Sequence, residues 1–195
     1  NNITATDNFA TLTSENDTMV SDNGTIEYLG YTKVEIPAEN IYTGSLAVIN
    51  DEHEAKGIFM SMTSLAEVKN EYYTLRNDDM IFNIEASNAL NSMMEAYNAE
   101  TGKSNFVVYN TTETYNEEDA VYTSEYPEAL SGYSLDLAIL SKSGNFIEYD
   151  GLDTESWIIE NCHNYGFIVR YESDKTEITG NKASVYHLRY VGKVH

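Results

Sequence analysis

Cysteine is almost missing from this chain. Cys162 stands alone, so no intrachain disulfide can form and no disulfide framework reveals the compartment. Basic residues are scarce too, 11 against 32 acidic, and the resulting net charge of −21 opposes binding to phosphate backbones or anionic lipid headgroups. Nucleic acid is not expected as a partner on that ground. No run approaches the roughly 20 apolar residues that span a bilayer, so the chain is not expected to insert into a membrane. No signal peptide is visible. A chain opening Asn1-Asn2-Ile3 without an initiator methionine implies that an export signal or membrane anchor has been removed. Histidine is limited to His53, His163, His187 and His195.

What is present suffices for one core: 195 residues with 42% hydrophobic content fit a single domain. Residues 1–25 are rich in Asn, Thr, Ser and Asp and poor in large apolar side chains, a composition that cannot offset ordering entropy, and they read as a flexible polar tail. The triplets at Asn2, Asn16 and Asn23 match a glycosylation sequon, a pattern that arises often by chance in such tails. Residues 26–41 read as a linker with a short strand around Ile26 and Tyr28, and 42–195 as the folded domain. Leu46-Ala47-Val48-Ile49 suggests a further strand.

Ile84, Leu90, Met93, Met94 and Tyr97 recur at helical spacing between Asn83, a good N-cap, and Gly102, a good helix stop. Met at such spacing is core packing before it is a soft metal ligand. Phe106 to Tyr109 and Leu135 to Leu140 read as strands, and Tyr115 to Tyr122 as a short acidic helix. Asp153-Thr154-Glu155-Ser156 supplies N-cap residues for a helix over 154–164, closed by Gly166. Strands follow at Phe167 to Tyr171 and Val185 to Val191. Strands and helices mixed without a regular βαβ repeat predict an α+β fold.

Trp157-Ile158-Ile159-Glu160-Asn161-Cys162-His163-Asn164-Tyr165-Gly166-Phe167-Ile168-Val169-Arg170-Tyr171, then Ile178-Thr179-Gly180 and His187-Leu188-Arg189-Tyr190-Val191-Gly192, resembles the C-terminal half of the VanY-like D-alanyl-D-alanine carboxypeptidases of peptidase family M15. The stretch from Ser45 to His53 is similar to the opening of such domains. The resemblance implies a small mixed or antiparallel sheet with flanking helices, the DD-carboxypeptidase (hedgehog/DD-peptidase) fold. It also implies a zinc hydrolase acting on peptidoglycan stem peptides outside the cell, secreted or tethered to the bacterial surface.

The same resemblance marks three departures. A catalytic zinc needs about three protein ligands and an open position for water. In the pattern His-x-x-Gly-x-x-x-Asp, Gly132 and Asp136 match while the histidine position holds Ala129. In the pattern Glu-x-Trp-His, His187 matches as a ligand while the general-base glutamate is replaced by Ser184, which cannot accept a proton from water near neutral pH as a carboxylate does. The arginine expected to hold the substrate's C-terminal carboxylate aligns with Glu113. Zinc is therefore expected to be weakly held or absent, with Asp136 and His187 as the remaining ligand positions.

Read without the family, Asp136 would cap a turn or pair with Arg189, and His187 would be a buried, hydrogen-bonded imidazole. Scaffold kept and chemistry lost is the mark of a pseudoenzyme. The first reading is thus a catalytically impaired domain that binds a stem peptide or a surface protein, with Tyr133, Tyr186, Arg189 and Tyr109 lining its cleft. The alternatives are an active zinc carboxypeptidase with a displaced ligand, Glu128 for example, and a non-enzymatic surface module that uses its 16 tyrosines as an aromatic binding face.

Overall fold

The computed structural model describes residues 44–47, 61–111, 131–171 and 182–193, together with the backbone of five short strands before residue 38. Those strands are β1 (Thr4–Thr6), β2 (Phe9–Thr11), β3 (Thr18–Val20), β4 (Ile26–Tyr28) and β5 (Ile36–Pro37). β2 pairs antiparallel with both β1 and β5, and β3 with β4.

The central feature is a mixed sheet. Its order is β12 (Phe167–Val169), β13 (His187–Tyr190), β10 (Ser134–Leu140), β9 (Phe106–Asn110), β7 (Thr74–Leu75), with β11 (Phe146–Glu148) also on β10. All pairings are antiparallel except β7 with β9. This is the α+β architecture that the mixed pattern predicts. A second ribbon pairs β6 (Met62–Ser64) with β8 (Ile81–Asn83), and β6 runs directly into the short helix α1 (Leu65–Val68).

The long helix α2 (Ile84–Thr101) covers one face of the sheet. Its ends follow the sequence signals: the Asn83 side chain accepts hydrogen bonds from the N–H groups of Glu85 and Ala86, and Gly102 closes it at φ 70°. Leu90, Met93, Met94 and Tyr97 are fully buried against Phe106, Val108, Leu135 and Leu188. Each such side chain contributes about 1.5–3 kcal/mol of burial, which accounts for both methionines as packing. Tyr97 meets Phe106 edge-on at 4.9 Å, and Trp157 donates from Nε1 to Glu100 at 2.7 Å.

Three local expectations change. The helix expected over 154–164 is regular only in α3 (Ser156–Asn161), flanked by 3-10 turns at Asp153–Glu155 and Cys162–Tyr165. The hydroxyl of Ser156 donates to the Asp153 carbonyl at 2.8 Å, and α3 has no side-chain N-cap. Of the strand expected from Leu46, the described residues 44–47 form a turn closed by Ala47 N–H to Gly44 O at 3.2 Å. The carbonyls of Ser45 and Ala47 both accept from the Arg189 guanidinium. The last two strands are shorter than expected, ending at Val169 and starting at His187. The acidic helix expected over 115–122 lies outside the described residues.

Gly166 shows why the C-terminal pattern is retained. It sits at φ 81°, and a Cβ there would stand 2.7 Å from the Gly192 carbonyl carbon. Its own carbonyl accepts from Val191 N–H at 2.8 Å and Gly192 N–H at 3.2 Å, locking the turn before β12 to the end of β13. Only glycine combines that φ with that approach.

Candidate functional site

Antiparallel register brings Asp136 on β10 opposite His187 on β13, and opposite Asn110 on β9. Alternation along the strands sends Leu135, Leu137 and Leu188 into the core under α2, and Asp136 and His187 to the other face. A register shift between Asp136 and Leu137 interrupts the β9 pairing at this point, the kind of irregularity that re-aims a side chain.

His187 Nδ1 and Asp136 Oδ1 are hydrogen-bonded at 2.5 Å, and Asn110 Nδ2 donates to Asp136 Oδ2 at 3.4 Å. The imidazole is 2% exposed and lies parallel to the Tyr171 ring, 5.7 Å between centroids. Ser184 is tied to the same wall, its N–H donating to Tyr171 O at 2.8 Å. The hydroxyls of Ser184 and Ser134 are buried and have no hydrogen-bond partner among the described residues. A group left so costs about 1–3 kcal/mol.

Beside the pair opens a cleft of about 410 Å³, lined by Arg76, Tyr109, Asn110, Asp136, Phe146 and Tyr186 among others. Of the residues expected to line it, Tyr109 and Tyr186 do so. Tyr133 stacks on Tyr190 at 6.4 Å, and Arg189, 1% exposed, donates to the carbonyls of Ser45 and Ala47 at 3.0 and 2.8 Å; neither lines this cleft. The pairing considered between Asp136 and Arg189 is thus replaced by His187 on one side and the residue-45 turn on the other. Ala129, Glu113, Glu128 and His53 lie outside the described residues.

Arg76, Asn110, Phe146 and Glu148 line the cleft and were not singled out in the sequence. The one available signal was Arg76, a rare cation in an acidic chain.

The sequence pattern of the VanY D-alanyl-D-alanine carboxypeptidases matches residues 64–193, more than half of the chain. The chain belongs to that family. This VanY-family chain is 28% identical over 174 residues to a D-alanyl-D-alanine carboxypeptidase of Enterococcus faecium, covering 82% of this chain and 55% of that relative. It spans about half the length of that protein.

Two solved structures share the fold. One is the vancomycin resistance D,D-dipeptidase VanXYg in complex with a D-Ala-D-Ala phosphinate analog, with a TM-score of 0.63 at 21% identity over 83% of this chain and 68% of the other. The second is a variant of the vancomycin resistance D,D-pentapeptidase VanY in complex with Zn(II), with a TM-score of 0.55 at 22% identity over 76% of this chain and 89% of the other.

The zinc that the sequence resemblance implies gives a test of the pair. Donors bound to a tetrahedral zinc at about 2.0–2.1 Å stand about 3.3 Å apart. Asp136 Oδ1 and His187 Nδ1 are 2.5 Å apart, bonded directly to each other, and the imidazole is 2% exposed. Among the described residues no group of three or more His, Cys, Asp or Glu side chains is arranged to hold a metal ion. At the position where the sequence resemblance expects a further ligand, Ala129 carries no donor atom in its side chain.

Proposed function

We propose that this domain binds peptidoglycan stem peptides in the Asp136 cleft without hydrolysing them. Membership of the VanY family and the D-Ala-D-Ala analog in VanXYg support the ligand class. The observation that carries the loss of hydrolysis is the direct 2.5 Å bond between Asp136 and His187. That bond takes up Nδ1 of His187 and Oδ1 of Asp136, one donor atom of each of the two remaining ligand positions. Ser184 then supplies a hydroxyl where peptide hydrolysis requires a base able to take a proton from water, and Ala129 supplies nothing. The exposed rings of Tyr109 and Phe146 supply an apolar wall for small side chains such as alanine methyls. A ligand of this class lies outside the membrane, which supports an extracellular, secreted or surface-tethered setting for the domain.

The test uses the purified chain and a pentapeptide ending in D-Ala-D-Ala. Calorimetry is expected to record binding, while mass spectrometry records no release of D-alanine with or without added zinc. Release of D-alanine that a chelator abolishes would instead establish the active metallopeptidase reading, with a ligand supplied from elsewhere in the chain.

A further inference from the structure

We infer that this cleft selects a peptide with a cationic side chain, held by the carboxylate of Glu148; the assignment rests on the peptide-binding reading above. Two carboxylates stand among the described lining residues, and they differ in what they meet. Asp136 is hydrogen-bonded to His187 and to Asn110. Glu148 is exposed, and no hydrogen bond or ion pair engages it among the described residues. The surrounding chain, with 32 acidic against 11 basic residues, draws positive ligands toward the surface before contact.

Strand register decides what stands around Glu148. It lies on β11 opposite Ala138 of β10, and Ala138 shares its face of that strand with Asp136, two residues earlier. The same alternation puts Phe146 on the face of β11 that carries Glu148. Ala138 contributes only a methyl, so the floor between the two strands stays low and the space above it belongs to the cleft. Phe146 is 44% exposed and meets Tyr109 edge-on at 5.9 Å, and Tyr109 already carries the guanidinium carbon of Arg76 4.7 Å over its ring. Aromatic faces of this kind attract cations. An ammonium entering the gap over Ala138 meets the Glu148 carboxylate and the Phe146 ring together.

The spacing also sets which ligand residue is read. Phe146 and Glu148 are two residues apart on one strand, about 6.8 Å, and an extended peptide repeats its side chains on one side at the same interval. With the methyl of the last alanine against Phe146, the side chain two residues before it reaches Glu148. A lone amine there is attracted. An amine with a carboxylate beside it is held less well, because the added negative charge faces Glu148 and Asp136. The cleft therefore prefers a lysine-type side chain to a diaminopimelate-type one.

The experiment measures fluorescence anisotropy of labelled pentapeptides that end in D-Ala-D-Ala and differ only at the third residue: lysine, Nε-acetyllysine or meso-diaminopimelate. The wild-type chain is expected to bind the lysine peptide about five- to tenfold tighter than either of the others. Glu148→Gln is expected to bring the lysine peptide down to the affinity of the acetylated one and to leave the acetylated peptide unchanged. Since Glu148 is exposed, circular dichroism melts of the variant are expected to match the wild type. Added salt should shrink the lysine preference, as screening of an exposed charge pair requires. Equal wild-type binding of the lysine peptide and either of the others, or a preference that persists in a folded Glu148→Gln, overturns the assignment while leaving peptide binding in place. If none of the peptides binds the wild-type chain, the peptide-binding reading falls and this assignment with it.

Discussion

His187→Phe should destabilise the domain sharply, and adding Asp136→Leu to it should restore much of what was lost. Phenylalanine keeps a flat ring against Tyr171, so packing changes little, but Asp136 loses its 2.5 Å partner and keeps only the 3.4 Å contact from Asn110. The carboxylate is 7% exposed as a residue and has little access to water. Breaking a buried pair by removing one partner costs about 3–5 kcal/mol. The long 3.4 Å contact and the edge of the cleft soften this, so about 3 kcal/mol is the working figure. For a chain of this size that lowers the melting temperature by about 6–12 °C.

Replacing both partners by apolar groups removes the stranded charge, and such replacements are often near neutral. Differential scanning calorimetry of wild type, both single variants and the double variant measures the cycle. A single variant that melts with the wild type, or a double variant as unstable as the sum of the singles, would refute the view of the pair as a mutually satisfied unit. Saturable stabilisation of the wild type by zinc would refute it as well, since a metal bound to the native state alone must raise the melting temperature.

Arg189→Met should cost about 2–3 kcal/mol by stranding the carbonyls of Ser45 and Ala47. Hydrogen exchange at residues 44–47 should accelerate while the α2 amides keep their protection. Burial pushes the Cys162 thiol from its usual value near 9 up to about 11. Between those values the unfolded chain ionises first and binds fewer protons, so stability should fall as pH rises from about 9 to 11 and stay level below 9. Urea denaturation across that range measures the slope, and Cys162→Ala should make it shallower; an unchanged slope counts against the burial argument.

The elements legible from local chemistry were those whose signals lie close together in the chain. Asn83 and Gly102 bracket α2 because a cap is satisfied within three or four residues, and Leu90, Met93, Met94 and Tyr97 mark its buried face because helical period alone brings them together. The 153–156 segment misled for the same reason. Its polar residues satisfy cap statistics, but Ser156 donates to the Asp153 carbonyl and the regular helix is only six residues long. The segment at Leu46 reads apolar and extended, yet its described part is bent into a turn whose carbonyls answer to Arg189, 142 residues away in the case of Ala47. No window along the chain contains that partner.

The candidate site divides along the same line. Asp136, His187, Ala129 and Ser184 are written in the residues themselves, because a side chain without a donor atom or an ionisable acid lacks that chemistry in any fold. Strand register decided what those residues meet: it set Asp136 against His187 at bonding distance, turned Arg189 from a candidate ligand contact into an internal clamp, and brought Arg76, Tyr109 and Phe146 from three separate strands' ends into one wall. Composition and motif determine which groups are available. Long-range pairing between strands determines which of them face one another, because distances of 2.5–5.9 Å between residues tens of positions apart exist only once the sheet has formed.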